Sequence, residues 1–374
     1  MKRIAVIIGI FLGVPVLVLA VFFTFKASVN RPQEPSKPYP YYAEEVTFRN
    51  HQAHVTLAGT LTLPSAAGNY PAVILISGSG AQNRDEEISG HRPFLIISDH
   101  LTKHGIAVLR FDERGVGEST GNFKTATTAD FASDVASAIE FLKARKTIDK
   151  DKIGLVGHSE GGVVAPMVAS NSKDVSFIVL LAGPGIEIKK ALLMQQELIA
   201  RANGVSESEI EKYILPVHEE AYRMISMSSD GPTLKTDLTR LIEQAYDSSP
   251  ADLMPSGMSR EELVSTQSDK WSSEWFRNFL KYDPASMLEK VTCPVLALNG
   301  EKDLQVTPKE NLSGISEALK RGGNSSVTVK ELPNLNHLFQ NCETGSPAEY
   351  AGIKETFSPD ALKEISDWIL KQVR

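Results

Sequence analysis

The chain has 374 residues, of which 42% are hydrophobic and 23% charged, as in an ordinary globular enzyme of one large or two smaller domains. The formal net charge is −7, and the lack of a basic excess argues against nucleic acid as a partner. Only two cysteines, Cys293 and Cys342, are present. This excludes a disulfide-rich scaffold and a cysteine-rich metal site, and we expect both thiols to be unpaired.

The N-terminal segment differs in character from the rest of the chain. Lys2 and Arg3 precede an uncharged apolar run from Ile4 to Phe25, which as a helix would be long enough to cross a bilayer. A membrane anchor and a cleaved signal peptide are the two interpretations. The length of the run and the lack of a good cleavage site favour an anchor over residues 1–29. The sequence thus predicts an exported, membrane-anchored protein, with a secreted or periplasmic protein as the alternative.

Residues 30–43 are rich in proline, and this composition predicts a stiff, extended linker that holds the body of the protein off a membrane surface. From Glu44 onward, strand and helix patterns alternate. Segments 44–50 and 54–63 predict an antiparallel hairpin, and later short apolar runs are typical of strands buried on both faces. The predicted strands after the hairpin are 72–77, 106–111, 153–156, 177–182, 295–298 and 327–332, and the predicted helices include 94–103, 131–144 and 359–373.

This order indicates an α/β fold, with a mostly parallel sheet and helices on both faces. The alternation stops between residues 186 and 288, where only helical patterns occur, among them a capping box from Ser206 to Glu209. We therefore expect a core built from residues 44–185 and 289–374. A helical lid, residues 186–288, is inserted in this core after the sixth strand.

The pattern Gly-x-Ser-x-Gly occurs twice, around Ser159 and around Ser119. Ser159 follows a predicted strand and precedes an apolar helix, and this strand-turn-helix context is what a nucleophile elbow requires. The glycines on either side let the backbone segments approach closely. Ser119 lies in a polar loop with no helix after it. Ser159 is therefore the predicted nucleophile.

A serine nucleophile needs a base, and the base needs an orienting acid. His218 and His337 are the histidines that follow Ser159. We expect His218 to be a solvated surface residue within a lid helix, whereas His337 follows the last strand, where ligand chemistry collects in α/β sheets. Asp303 and Glu301 both follow the seventh strand. The turn at Gly300 favours Asp303 as the acid, with Glu301 as the alternative.

An oxyanion hole requires two backbone N–H groups. The residue after the nucleophile, Glu160, is expected to supply one, and Ser79 in the glycine-rich loop after the third strand the other, with Gly80 as the alternative. That loop lacks the Lys-Ser/Thr of a phosphate-binding P-loop. Trp275 and Phe276 either line an acyl pocket or form the packed core of the lid.

Five segments together give a specific resemblance: SGSGAQNRDE (77–86), RFDERGVGEST (110–120), GHSEGG (157–162), LNGEKDLQV (298–306) and LNHLFQ (335–340). Over residues 44–374 the sequence resembles the α/β-hydrolase esterases, in the group that overlaps serine aminopeptidases and acylglycerol lipases. The resemblance implies a carboxylesterase acting on short acyl chains, with Ser159, Asp303 and His337 as its triad. It also implies that Arg84, Asp85 and Glu86 order the loop beside the oxyanion hole.

The predicted reaction is hydrolysis of a small ester with a short to medium acyl chain through an acyl-enzyme, without metal or organic cofactor. The expected partner is that ester alone, with no nucleic acid, and with membrane contact only through the N-terminal segment. A serine peptidase is the runner-up and would need a lid carboxylate to bind a substrate amine. The available carboxylates are Glu219, Glu220, Glu243 and Asp247. A thioesterase and a catalytically silent binding protein are further alternatives.

Overall fold

The computed structural model describes residues 31–228, 230–255 and 257–374. Eight strands form one sheet in the order β1-β2-β4-β3-β5-β6-β7-β8, in which β1, β2 and β4 pair antiparallel and all other neighbours pair parallel. The strands are β1 (Tyr42–Asn50), β2 (Val55–Leu63), β3 (Tyr70–Ile76), β4 (Ala107–Phe111), β5 (Ile148–His158), β6 (Phe177–Leu181), β7 (Val295–Gly300) and β8 (Val327–Leu332).

Helices cover both faces of the sheet, and a further group lies between β6 and β7. The α-helices are α1 (Pro93–Lys103), α2 (Thr128–Lys143), α3 (Gly161–Ala169), α4 (Ile188–Ala202), α5 (Glu207–Glu209), α6 (Leu215–Met227), α7 (Gly231–Ser248), α8 (Arg260–Ser272), α9 (Glu274–Leu280), α10 (Pro284–Leu288), α11 (Pro308–Arg321) and α12 (Pro359–Gln372). Helices α2, α3 and α11 pack on one face, and α1 and α12 pack on the other.

The sheet and its covering helices confirm the predicted α/β architecture. The prediction was possible because burial on both faces of a parallel strand leaves a continuous apolar run in the sequence. Strands β3, β4 and β6, for example, are apolar and buried along nearly their whole length. Since parallel strands place their carboxyl ends at one edge, the loops after β3, β5, β7 and β8 meet there.

The helices from α4 to α9 share their own apolar core, centred on Tyr222, Trp271 and Phe276. The predicted capping box at Ser206 and Glu209 is present and opens α5. His218, in contrast, is not a surface residue as expected. It is 1% exposed, its Nδ1 donates to the Ile214 carbonyl oxygen at 2.9 Å, and its ring packs edge-on against Trp271.

Residues 31–41 do not form the free spacer that their proline content predicted. Arg31 donates to backbone carbonyls near the C-terminal end of the chain, including that of Ala351 at 3.0 Å. The amide oxygen of Gln33 accepts the N–H of Thr356 at 2.6 Å, and Tyr41 donates to Asp99 at 3.1 Å. This segment is therefore docked along the body of the protein.

The membrane-anchored localisation predicted from the sequence is wrong by the structural criterion. In the part of the chain that the structure describes, no helix combines the length and the apolar character needed to cross a bilayer. The segment on which the prediction depended, residues 1–29, lies outside the described residues. As predicted, both Cys293 and Cys342 are free thiols.

Candidate active site

Ser159 lies in a sharp turn between the end of β5 and the start of α3. Its φ angle is +52°, in the left-handed region that a non-glycine residue adopts at a strained functional turn. A Cβ on Gly157 would lie 2.0 Å from the carbonyl oxygen of Gly161, and a Cβ on Gly161 would lie 2.2 Å from that of Ile76. The glycines of the motif are therefore required by close backbone approach, as a nucleophile elbow demands.

Asp303 and His337 form a buried pair at the same edge of the sheet. Asp303 Oδ2 accepts a hydrogen bond from His337 Nδ1 at 2.8 Å. The other oxygen, Oδ1, accepts the backbone N–H groups of Gln305 at 2.7 Å and Val306 at 2.9 Å. With Nδ1 donating to the carboxylate, Nε2 of His337 is left as the basic nitrogen. The structure thus brings the predicted base and acid together.

Glu301, the alternative acid, has a different place. Its Oε2 accepts the N–H of Asn334 at 2.9 Å, so this carboxylate supports the loop that carries His337. A Cβ on Gly300 would lie only 2.3 Å from the carbonyl oxygen of Leu335 in that loop. The turn after β7 and the turn after β8 are therefore packed backbone to backbone.

The loop after β3 is fastened on both sides of the predicted oxyanion donor Ser79. The N–H of Gly78 donates to Glu86 Oε1 at 2.7 Å, and the N–H of Gln82 donates to Glu113 Oε2 at 2.9 Å. Burial raises the pKa of Glu113 well above its ordinary value. The amides of Ser79 and Gly80 lie between these two fastened points.

The Arg84-Asp85-Glu86 run orders this loop, in agreement with the resemblance. Arg84 forms an ion pair with Asp112 at 2.7 Å, and Asp85 forms one with the buried Arg110. Glu86 is almost fully buried and lies beneath the loop.

Glu160 follows the nucleophile, and its carboxylate is a junction between three parts of the molecule. Its Oε1 accepts hydrogen bonds from Thr128 at 2.6 Å and from the indole of Trp275 at 2.8 Å, and the Ser79 side chain is a third partner. Burial raises the pKa of Glu160, and these hydrogen bonds oppose that effect without cancelling it. Sequence reasoning did not identify Thr128 or the Trp275 contact.

Ser119, Phe276 and Trp275 are the other residues that the sequence suggested, and the first two have packing roles. The hydroxyl of Ser119 is buried, donates to the Asp112 carbonyl at 2.7 Å and accepts the Ala58 N–H at 2.9 Å, so it braces the loop after β4. Phe276 has no exposed surface and packs against Tyr222 in the core of the insertion, whereas Trp275 is half-buried. Only Trp275 of the two predicted pocket residues reaches the loops around Ser159.

Among the described residues, no group of three or more histidine, cysteine, aspartate or glutamate side chains is placed to hold a metal ion. The arrangement offers a serine in a strained elbow, a buried histidine–aspartate pair and a fastened glycine-rich loop. These groups are suited to acyl transfer.

Comparison with known proteins agrees with a site suited to acyl transfer. Residues 93–248 match the family model described as "Serine aminopeptidase, S33". Esterase EstD of Thermotoga maritima is 26% identical over 334 residues, which are 89% of this chain and 70% of that protein. The solved structure of the Pyrococcus furiosus esterase Pf2001 superposes with a TM-score of 0.53 at 18% identity, covering 92% of this chain and 97% of that one.

Protein PA2218 of Pseudomonas aeruginosa superposes with a TM-score of 0.54 at 14% identity, covering 93% of this chain and 98% of the other. At these identities the solved structures establish the fold. The chain therefore has the α/β-hydrolase fold, and the prediction of a hydrolase from its sequence is confirmed.

Proposed function

We propose that the chain is a serine esterase that hydrolyses carboxylic esters of short to medium acyl chains, with Ser159 as nucleophile, His337 as base and Asp303 as orienting acid. The observation that carries the proposal is the buried 2.8 Å contact between His337 Nδ1 and Asp303 Oδ2, at the sheet edge where β5 delivers Ser159. The esterase names of the Thermotoga and Pyrococcus relatives support an ester as the substrate.

In the proposed reaction, His337 Nε2 takes the proton of the Ser159 hydroxyl as Ser159 Oγ attacks the ester carbonyl carbon. The backbone N–H groups of Ser79 and Glu160 stabilise the oxyanion, a contribution worth about 3 kcal/mol for each donor in related chemistry. His337 then protonates the leaving alcohol. Water, activated by the same imidazole, releases the acid and regenerates Ser159.

An ester is favoured over a peptide with a free amine because three of the four lid carboxylates that would bind an amine pair with arginines, and the fourth, Glu219, is exposed to solvent. Glu220 pairs with Arg223 at 2.6 Å, and Asp247 pairs with Arg260 at 2.8 Å. Arg260 also contacts Glu243 at 3.3 Å. These pairs lie on the outer surface of the insertion, where carboxylates are solvated.

Trp275 is the residue through which we expect the insertion to act as a lid. It stacks on Phe279 with ring centroids 5.3 Å apart and presents its indole N–H to Glu160. An aromatic side chain in this position would cover one side of an acyl group held on Ser159. This favours short and medium chains over bulky ones.

The test is hydrolysis of p-nitrophenyl acetate, butyrate and octanoate by residues 30–374, with Ser159→Ala as the variant. Removing a triad serine costs on the order of 10⁶ in kcat. We expect the wild type to cleave the shorter esters and the variant to be inactive. Aminoacyl anilides and acyl thioesters in the same assay separate the peptidase and thioesterase alternatives. Equal activity of the two proteins would refute the assignment of Ser159, and inactivity on every substrate would favour a silent binding protein.

A further inference from the structure

A second buried histidine–carboxylate pair lies directly beneath the candidate triad. His158 precedes Ser159, and Glu86 belongs to the loop after β3. His158 Nδ1 lies 2.9 Å from Glu86 Oε1, and His158 Nε2 lies 3.0 Å from the backbone carbonyl oxygen of His337. The side chains of His158 and Glu86 are 6% and 1% exposed, so water does not compete for these contacts.

The partners of His158 define its protonation state. Both ring nitrogens face oxygen acceptors, and an imidazole that donates from both nitrogens is the cation. The proton between Oε1 and Nδ1 is placed on the ring, because Oε1 also accepts the Gly78 N–H at 2.7 Å and so serves as an acceptor. Burial acts to lower the pKa of His158, but Glu86, the His337 carbonyl and Asp303 together outweigh it, so the pKa is raised.

The contacts connect three separate segments of the site. Glu86 holds Gly78, at the start of the oxyanion loop, and His158, at the end of β5. His158 in turn holds the backbone of His337, and the two imidazole rings are 4.8 Å apart between centroids. The backbone of Glu86 has φ of +50°, so the chain adopts a strained conformation at the residue that directs its carboxylate inward.

We propose that the His158 imidazolium and the Glu86 carboxylate form a positioning pair that sets the oxyanion loop, Ser159 and His337 at their working distances. This inference rests on the proposed function. Burying an ion pair gains little stability and can reduce it, and fixing a unique arrangement is its better supported role. The other charged or titratable groups that face His158 are Asp303, which also raises its pKa, and His337 itself.

Glu86→Gln separates charge from shape in this pair. Glutamine Oε1 can still accept from Gly78 and from His158 Nδ1, but without the carboxylate the buried His158 loses its charge. A neutral ring keeps one proton and so loses one of its two hydrogen bonds. Glu87→Gln is the matched control, because Glu87 is the exposed neighbour of Glu86.

We expect Glu86→Gln to lower kcat for p-nitrophenyl butyrate on the order of 10- to 100-fold with little change in KM, because misplacing reacting groups by about 1 Å can cost about 100-fold. Glu87→Gln should behave as the wild type. Equal kcat for the two variants would overturn the proposal. Inactive wild type on every substrate would instead refute the proposed function.

A second measurement needs no variant to fold. At pH 7.5 a histidine with the ordinary pKa of about 6.5 is roughly 90% neutral. Nitrogen NMR of the wild-type chain labelled in its histidine rings should show both ring nitrogens of His158 protonated at that pH. A His158 ring carrying a single proton would overturn the positioning pair as described, whether or not the ester assay succeeds.

Discussion

Gly161→Ala tests the elbow geometry with the smallest possible change, one methyl group. That methyl carbon would lie 2.2 Å from the Ile76 carbonyl oxygen and 2.9 Å from that of Ser77, far inside the contact distance of real Cβ atoms. Relief requires a separation of about 1 Å between β3 and the start of α3. Such overpacking costs about 1–3 kcal/mol of stability.

The same displacement would also change the distance between the nucleophile and the oxyanion donors, because Ile76 leads into the loop that carries Ser79, and Gly161 follows Ser159 and Glu160. A shift of about 1 Å between nucleophile and oxyanion donors is expected to lower kcat about 100-fold. Urea unfolding and hydrolysis of p-nitrophenyl butyrate measure the two effects.

Gly352→Ala is the matched control for this prediction. Gly352 is exposed, and no atom lies within 4 Å of the position that its Cβ would occupy. We expect this variant to retain wild-type activity and stability. If Gly161→Ala is as active and as stable as Gly352→Ala, the close approach of β3 and α3 described above is wrong.

Three further changes probe the surroundings of the site. Trp275→Phe removes the hydrogen-bond donor to Glu160, so it should lower the free energy of unfolding in urea by about 1.5–3 kcal/mol. It should also alter the preference between butyrate and octanoate esters. The control Trp368→Phe loses a 3.3 Å hydrogen bond to a neutral hydroxyl and should leave that preference unchanged. Ser119→Ala should lose about 1–3 kcal/mol of stability yet keep its ester hydrolysis, and loss of all activity in a folded variant would contradict the bracing role. Glu113 has a raised pKa in the folded state, so it releases its proton on unfolding above pH 4.5 and stability falls as pH rises from there. Glu113→Gln should flatten that fall between pH 5 and pH 8, and unchanged slopes in urea titrations would contradict the raised pKa.

The architecture could be predicted because its strongest signals are local. Continuous apolar runs mark strands that are buried on both faces, and the alternation of strands with helices fixes a parallel sheet. The glycines at 157 and 161 were expected to permit close backbone approach, and the structure gives the contacts that require them. The expectation of two unpaired cysteines is likewise confirmed.

The burial of His218 has a local signal in the sequence. Ile214, Ala221, Tyr222 and Ile225 are all buried, and their spacing places His218 on the same face of the helix. The residues at 31–41 show a different limit. Proline content predicts how stiff a segment is, but the docking contacts of Arg31 and Gln33 involve residues more than three hundred positions away.

The supporting groups of the site depend on contacts between distant loops. Glu86 and His158 are 72 positions apart, and His158 and His337 are 179 apart. The sequence identified the motif that contains each residue, but not that one carboxylate would serve both Gly78 and His158. The roles of Ser159, Asp303 and His337 remain predictions that the geometry favours.

The most direct measurement of the central claim is peptide mapping after reaction with a fluorophosphonate, which forms a covalent adduct with an activated serine. The account predicts one modified residue, Ser159, and loss of the adduct in His337→Ala, because the hydroxyl is a weak nucleophile without its base. Modification of Ser119 instead, or ester hydrolysis by a protein in which Ser159 stays unmodified, would contradict it.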